Sequence, residues 1–310
     1  MNKKLLQYIG ALVGLALFVC ALLVLRHEFR QHGIGAIMRH LRAMPAEAIT
    51  LALTLTALDY LVLTGYDSLS LIYVKRPLGY PRTAFASFVG YSFSHNMGFS
   101  LFSGGGVRYR LYSAWGLPGV DIAKIVVFNG ITLWMGFMAI AGVVFVTEPP
   151  MVPEVLSPYM ASLRPAGSAA LGIVVSYALL CIVRKGAFRL GAWEFEVPSL
   201  RLCASQLLVS SLDWCLAGSV LYVLLPPSSG LTYTAFMGVF LLAQASGIMS
   251  HVPGGLGVFE VVMVVFLANS ISAPGVLGAV LMFRGVYYVL PFCIATALLG
   301  IHEARSRYPS

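Results

Sequence analysis

Charged residues are the scarcest class in this sequence: Asp, Glu, Lys and Arg together make up 10% of its 310 residues. An average soluble domain carries about 25% charge, so this chain lacks the side chains that a water-facing surface requires. Hydrophobic residues reach 59%, and the mean hydropathy is +0.86. The strict alternation that a transmembrane β-barrel needs is also missing from the long apolar runs. The composition therefore predicts an all-α, polytopic integral membrane protein, because helices satisfy their own backbone hydrogen bonds in lipid.

The chain also lacks catalytic and cofactor signals. Its five cysteines lie in or beside apolar segments without metal-ligand spacing, which is typical of small core residues. No nucleophile elbow, metal cluster or acid–base pair stands out, and the basic residues are scattered over loops rather than gathered in a nucleic-acid-binding patch. The sequence therefore predicts no cofactor, no metal and no nucleic-acid partner, and it favours a non-enzymatic function.

Six apolar runs are long enough to cross a membrane as helices, for which about 20 residues are needed. They cover residues 5–25, 47–74, 121–146, 167–183, 204–225 and 276–300. No small-residue cleavage site follows the first run, so we expect a retained helix rather than a signal peptide. Residues 26–46 mix arginine with apolar side chains and predict an interfacial amphipathic segment, and the alternation at 193–197 predicts a short hairpin arm. No linker divides the chain, so we expect 1–310 to be a single transmembrane domain.

Short motifs recur in the same order at offsets between 150 and 156 residues, which predicts two internal repeats, about 47–146 and 204–300. Examples are Leu58-Asp59-Tyr60 with Leu212-Asp213-Trp214, Gly104-Gly105 with Gly254-Gly255, and Phe128-Asn129-Gly130 with Phe283-Arg284-Gly285. Each half has an apolar region broken by glycine and polar residues, 84–105 and 234–271, and such paired breaks point to a midplane transport site. We expect both regions to be re-entrant, which makes the halves inverted; a full crossing by 84–105 would make them parallel.

Acidic residues interrupt otherwise apolar helices, where an ionisable group is costly and marks a functional site by default. Asp67 has no acidic counterpart in the second half and is predicted to bind substrate. Asp59 and Asp213 occupy equivalent places in the repeat, so an architectural role is predicted for both. Arg284 lies within the last apolar run, and Glu260 is its expected partner, either as a structural pair or as part of the site.

The first broken region continues into a glycine-rich, basic motif at 103–110 that is too polar for a lipid-facing helix. Glycine N–H groups and arginine forks bind phosphate well, and the second broken region offers glycines and a carboxylate in the matching place. The predicted substrate-binding residues are therefore Asp67, Asn96, Gly104, Gly105, Arg108, Arg110, Gly254, Gly255 and Glu260. The two arginines could instead be positive-inside anchors. His95 and His251 are predicted to be satisfied core groups.

Three stretches carry a resemblance to a known family: GYSFSHNMG at 90–98, SGGGVRYRLY at 103–112 and PGGLGVFE at 253–260. They are similar to the membrane domain of the bacterial lysylphosphatidylglycerol synthase/flippase, the multiple peptide resistance factor, a domain that also occurs alone in uncharacterised inner-membrane proteins. The resemblance implies a flippase that exposes aminoacylated phosphatidylglycerol on the outer leaflet and so repels cationic peptides. It also implies that Asp67 and Arg108 are the acid and arginine of the cavity. Residues 1–310 include no soluble aminoacyl-transferase domain, so lysyl transfer is not implied.

Sequence and resemblance together predict lipid translocation across the bacterial cytoplasmic membrane, with phosphatidylglycerol or an aminoacylated form such as lysylphosphatidylglycerol as cargo. Two alternatives stay open: the membrane portion of a phosphatidylglycerol lysyltransferase, and a transporter of another small anionic or zwitterionic substrate. The expected partner is a phospholipid; a separate aminoacyl-lipid synthase and a second copy of the chain in a homodimer are further partners that the sequence allows. The net charge of +8 fits a multi-pass protein with basic cytoplasmic loops.

Overall fold

The computed structural model describes residues 34–97, 100–151, 162–184, 186–190, 193–228, 230–250 and 252–307. The predicted span at 5–25, part of the predicted interfacial segment and His251 lie outside them. In the described part of the chain the helices are α1 (Ile34–Arg42), α2 (Ala46–Tyr73), α3 (Tyr80–Met97), α4 (Ser100–Ala114), α5 (Gly119–Thr147), α6 (Arg164–Val183), α7 (Leu200–Leu224), α8 (Tyr233–Met249), α9 (Val258–Leu267), α10 (Ala273–Phe283) and α11 (Leu290–Arg307). A 3-10 turn, Pro253–Gly255, lies between α8 and α9, and a π-helical turn, Arg284–Val289, joins α10 to α11. The predicted hairpin arm is present as β1 (Ala187–Leu190) and β2 (Trp193–Glu196), paired antiparallel between α6 and α7.

Five helical stretches in the described residues are long and apolar enough to cross a membrane: Ala46–Tyr73, Gly119–Thr147, Arg164–Val183, Leu200–Leu224 and Ala273–Arg305. Each coincides with a predicted span, so the prediction of an all-α, polytopic membrane fold is confirmed. The outward faces of these helices carry large apolar side chains, among them Leu61 at 58% exposed and Leu208 at 70%. Such a surface is unfavourable in water but matches the hydrocarbon core of a bilayer.

Helices α2 and α7 lie side by side in the bundle and approach each other through a small residue. Gly65 of α2 faces Val209 of α7, and a Cβ at Gly65 would lie 3.0 Å from Val209 Cγ1. Close approach of this kind holds helices together in lipid through van der Waals packing. The hydrophobic effect contributes little there, because the lipid tails are as apolar as the helix surfaces. Asp59, which precedes Gly65, reaches Asp213, which follows Val209, so the two helices run antiparallel. An inverted repeat requires this direction, but the repeat itself stays a prediction.

Each of the two broken regions forms a pair of helices. α3 and α4 lie antiparallel, because Gly104 lies against Ser94 and Arg108 lies against Gly90. α8 and α9 form the second pair, and their connecting turn contains glycines in the left-handed region, such as Gly254 with φ of 62°. That turn contacts α3, so the break of the second pair meets the first pair inside the bundle.

Ion pairs tie together one end of the bundle. Arg76, after α2, pairs with Asp121 at the start of α5, and Arg110 of α4 pairs with Glu303 of α11. The chain therefore enters α3 and leaves α4 at the same end of the bundle. This end is rich in lysine and arginine, so the positive-inside rule predicts that it faces the cytoplasm.

Cysteine labelling tests whether the α3–α4 pair is re-entrant. In a background without the native cysteines, Pro81→Cys and Pro118→Cys should both react with a membrane-impermeant maleimide from one side, because these exposed positions flank the pair at the basic end. Met151→Cys, beyond the far end of α5 and 83% exposed, is the opposite-side control. Reaction at positions 81 and 118 from opposite sides would show that the pair crosses the membrane and would refute the inverted arrangement.

Candidate functional site

A polar cavity of about 240 Å³ lies where the two broken helix pairs meet. Apart from tyrosine and tryptophan, its polar and charged lining residues are Ser94, His95, Arg108, Asn129, Asp213, Gln244 and Arg284. Backbone reaches the cavity at Gly105, Gly254 and Gly255, three of the predicted substrate-binding residues. Polar groups that converge inside a bundle with apolar outer faces are the arrangement expected of a ligand site in a membrane protein.

Asp67 and Arg108 form a fully buried ion pair beside this cavity. Nε and Nη2 of Arg108 donate to different carboxylate oxygens of Asp67, each at 2.8 Å. The Tyr112 hydroxyl donates to Asp67 Oδ1 at 2.8 Å, and the guanidinium lies over the Tyr91 ring, 4.4 Å from its centroid. Asp67 is 0% exposed and Arg108 is 4% exposed. Removing one partner of such a pair leaves an uncompensated charge in the interior, which costs about 3–5 kcal/mol.

The helical phase of α4 separates its two arginines. Arg108 and Tyr112 are one turn apart and therefore point together at Asp67. Arg110 is about 200° around the helix from Arg108, pairs with Glu303 at 2.8 Å, and has a side chain that is 62% exposed. The structure thus does not bring Arg110 to the cavity with Arg108, although both are predicted site residues. Arg108, in turn, is too deeply buried to be an anchor at the membrane surface.

Glu260 and Arg284 form a second ion pair, on the side of the second helix pair. Arg284 Nε donates to Glu260 Oε1 at 2.6 Å, and its Nη1 donates to the Gly254 carbonyl at 3.0 Å. Glu260 Oε2 accepts from the Gly257 backbone N–H at 2.7 Å, at the start of α9. The expected pairing is therefore present, and it joins the α8–α9 turn to the π turn.

Asp59 and Asp213 are held by tyrosines. Tyr287 of the π turn donates a short hydrogen bond to Asp59, and Tyr66 donates one to Asp213. The two carboxyl groups are buried and interact with each other across the α2–α7 contact. These contacts join three helical segments, as an architectural role requires, and Asp213 also lines the cavity.

Asn96 and Gly104, two further predicted site residues, make contacts between helices and do not line the cavity. Asn96 Nδ2 donates to the Tyr288 carbonyl at 3.1 Å. That carbonyl belongs to the π turn, where the hydrogen-bonding pattern of an α-helix is interrupted. Gly104 lies directly against Ser94 and the backbone of Gly90. Their positions favour helix packing as the role of Gly104, and hydrogen bonding to a free backbone carbonyl as the role of Asn96.

Two cavity-lining residues outside the predicted site, His95 and Asn129, have buried polar atoms without a hydrogen-bond partner among the described residues. His95 stacks on Tyr287 with ring centroids 5.6 Å apart, and its Nδ1 is buried without a hydrogen-bond partner in the described part of the chain. It is therefore not the satisfied core histidine that the sequence predicts. Asn129 has a buried amide that likewise lacks a partner among the described residues. In the predicted repeat it aligns with Arg284, and two polar residues at matching places in apolar runs are the signal that could have identified it.

Comparison with known proteins assigns the family, since residues 11–295 match the family model described as the lysylphosphatidylglycerol synthase TM region. The chain belongs to this family. The resemblance carried by the glycine-rich motifs is thereby confirmed. The family assignment and the five apolar helices together show that the chain is a multi-pass inner-membrane protein.

Relatives of two kinds match this member of the lysylphosphatidylglycerol synthase TM-region family. The uncharacterized protein slr0712 of Synechocystis sp. is 34% identical over 301 residues, which cover 97% of this chain and 94% of that protein. The inner membrane protein YbhN of Escherichia coli is 30% identical over 263 residues, or 84% of this chain and 81% of that protein. The phosphatidylglycerol lysyltransferase of Staphylococcus haemolyticus is 38% identical over 94 residues, but these are 29% of this chain and 11% of that enzyme. The likeness to the enzyme is therefore confined to a small part of its length.

Proposed function

We propose that this protein translocates an anionic phospholipid across the bacterial cytoplasmic membrane. The proposed cargo is phosphatidylglycerol or an aminoacylated form such as lysylphosphatidylglycerol. The observation that carries the proposal is the buried Arg108–Asp67 pair at the wall of a polar cavity inside an apolar bundle. The names of the family and of its lysyltransferase relatives support the choice of lipid.

The cavity addresses the energetic problem of moving a headgroup through lipid. A polar group that leaves water without a new partner costs about 2–7 kcal/mol, and an isolated charge costs far more. The volume of about 240 Å³ is below the roughly 300–1,000 Å³ of sites for drug-sized ligands. Such a cavity holds a headgroup only, so the acyl chains would stay in the hydrocarbon beside the exposed apolar faces of the helices.

Arg108 is the proposed phosphate ligand, and Asp67 is its counter-ion when no lipid is bound. The guanidinium fork that holds two Asp67 oxygens fits two phosphate oxygens equally well. A phosphodiester would therefore exchange with Asp67, which keeps the hydrogen bond from Tyr112. The released carboxylate would then be placed to meet the ammonium group of an aminoacylated headgroup. Arg284 with Glu260 offers a second pair of the same chemistry on the other helix pair.

Reconstitution into vesicles tests this proposal. In phosphatidylcholine vesicles with a trace of fluorescent phosphatidylglycerol, the protein should expose inner-leaflet label to dithionite, so that nearly all fluorescence is quenched. Protein-free vesicles should lose only the outer-leaflet share, and fluorescent phosphatidylcholine should show whether the effect is selective for the anionic lipid. Equal quenching with and without protein, for phosphatidylglycerol and lysylphosphatidylglycerol alike, would contradict the proposal. Flux of glycerol phosphate without lipid exposure would favour the small-anion alternative.

A further inference from the structure

Asn129 has a side chain that the protein itself leaves unsatisfied. It lies on α5, is 6% exposed, and lines the cavity. Its amide oxygen and nitrogen are both buried, and neither has a hydrogen-bond partner among the residues that the structure describes. An asparagine amide offers two donors and one oxygen acceptor with two lone pairs, and buried polar groups of this kind are rarely left unpaired. An amide whose donors and acceptor are all unused, at the wall of a polar cavity, indicates a ligand-binding group.

The neighbours of Asn129 on α5 do not share this property. Thr132 is fully buried, but its hydroxyl donates to the Phe128 carbonyl at 2.8 Å and accepts from Gln206 Nε2 at 2.7 Å. Phe128 itself stacks on Tyr73. By contrast, Gly130 also lines the cavity, and a Cβ there would meet no atom within 4 Å. The open space beside α5 is therefore next to the unsatisfied amide.

The two arginines at the cavity narrow the kind of headgroup atom that the Asn129 amide would bind. Arg108 and Arg284, which line the cavity, provide for the phosphate and are each paired with a carboxylate. A hydroxyl group both donates and accepts, so it can satisfy the oxygen and a nitrogen hydrogen of the same amide. An ammonium group only donates, which would leave the amide N–H groups of Asn129 without an acceptor. His95 Nδ1 also lies at the cavity without a hydrogen-bond partner among the described residues, and an imidazole nitrogen can form a hydrogen bond with a hydroxyl.

We propose that Asn129 is the hydrogen-bonding subsite for a hydroxyl group of the lipid headgroup, which selects a phosphoglycerol headgroup over a phosphodiester without hydroxyls. This inference rests on the proposed function in one respect, namely that the headgroup enters the cavity. Sites built to hydrogen-bond a hydroxyl discriminate strongly against analogues that lack it, because their own polar groups are then left unpaired. Asn129 therefore sets specificity, whereas Arg108 supplies the charge recognition that all anionic lipids share.

Equilibrium binding separates this role from transport. The purified full chain in detergent is titrated with dioctanoyl phosphatidylglycerol and with dioctanoyl phosphatidylpropanol, which has the same charge and the same three headgroup carbons but no hydroxyl. We expect the wild type to prefer phosphatidylglycerol by about 10-fold, the effect of one net hydrogen bond. Asn129→Leu, close in size, should bind phosphatidylglycerol about 10-fold more weakly and phosphatidylpropanol as before. Its unfolding temperature should be unchanged or higher, because an unpaired buried amide is replaced by an apolar group.

Thr132→Val is the matched control on the same helix. It removes a satisfied hydroxyl away from the cavity, so it should lower the unfolding temperature and leave the preference for phosphatidylglycerol intact. The inference is overturned if the wild type shows no preference, if Asn129→Leu keeps it, or if Asn129→Leu lowers the unfolding temperature as Thr132→Val does. Because binding in detergent needs no translocation, a wild type that prefers phosphatidylglycerol but moves no lipid in vesicles would refute the proposed transport and support the subsite.

Discussion

Arg108→Lys is expected to lose nearly as much lipid translocation as Arg108→Ala. The translocation rate should fall by about 10-fold or more, because losing a charge-assisted hydrogen bond costs about 1.5–3 kcal/mol and each 1.4 kcal/mol corresponds to about a factor of ten. Lysine keeps the positive charge but replaces a planar fork by a single ammonium group. It cannot reproduce the two parallel hydrogen bonds from Nε and Nη2 to Asp67, nor the stacking on Tyr91. The same fork is the proposed phosphate ligand, so binding and resting geometry are lost together. Dithionite quenching in vesicles at matched protein levels measures the effect.

Controls separate loss of binding from loss of folding. Arg110→Lys, on the same helix but exposed and paired with Glu303, should translocate as the wild type does. Arg108→Ala should lose about 3–5 kcal/mol of stability, because Asp67 is left as an unpaired buried charge. The double variant Asp67→Asn/Arg108→Gln carries neither charge, so it should regain most of that stability without regaining translocation. Wild-type translocation by Arg108→Lys would exclude a bidentate role for Arg108.

Gly104→Ala is expected to destabilise the contact between α3 and α4 by about 3 kcal/mol, the upper part of the usual range for overpacking. A Cβ at Gly104 would lie 2.7 Å from the Gly90 carbonyl oxygen and closer still to Ser94 Oγ. Ser94 donates to that same carbonyl at 2.9 Å, so the added methyl also displaces a hydrogen bond. Backbone cannot yield here unless the helices separate, and Arg108, one turn further along α4, would then move away from Asp67. Thermal unfolding and the vesicle assay should therefore both report a loss.

Gly106→Ala is the matched control for this substitution. It lies on the same helix, but a Cβ there would meet no atom within 4 Å. Alanine is favoured over glycine in a helix by roughly 0.5–1 kcal/mol, so Gly106→Ala should be neutral or slightly stabilising. Similar destabilisation by both alanines would contradict this explanation, because the steric conflict with α3 exists only at position 104.

The membrane spans could be predicted from the sequence because a run of about 20 apolar residues with little charge seldom forms anything but a transmembrane helix. The Arg284–Glu260 pair could also be predicted, since an unpaired charge in an apolar run is so costly that a partner has to exist. The Asp67–Arg108 pair was accessible only through the resemblance. The two residues are far apart in sequence and on different helices, and spacing alone does not reveal which helices are neighbours.

Other parts of the site depend on information that the sequence does not carry. Arg108 and Arg110 point in different directions because residues 100–114 are helical across the glycines, and a glycine-rich stretch does not predict that phase. From the sequence, Asn96 is predicted to be a polar site residue. Only the structure shows that its amide donates to the Tyr288 carbonyl of the π turn. Whether a buried polar group such as Asn129 has a partner is a property of the packed bundle, so composition and periodicity cannot decide it.

The π turn at Arg284–Val289 makes the length of the last span as important as its chemistry. The i→i+5 hydrogen bonds of a π turn accommodate one more residue than the i→i+4 hydrogen bonds of a continuous α-helix. The carbonyl groups of Tyr287 and Tyr288 are met by Tyr60 and Asn96 instead. Deleting an apolar residue of this turn, such as Val289, would restore an ordinary helix of unchanged polarity, yet it would turn all that follows by about 100°. Glu303 would then face away from Arg110, so the spare residue sets the rotation of the C-terminal half of this span against the rest of the bundle.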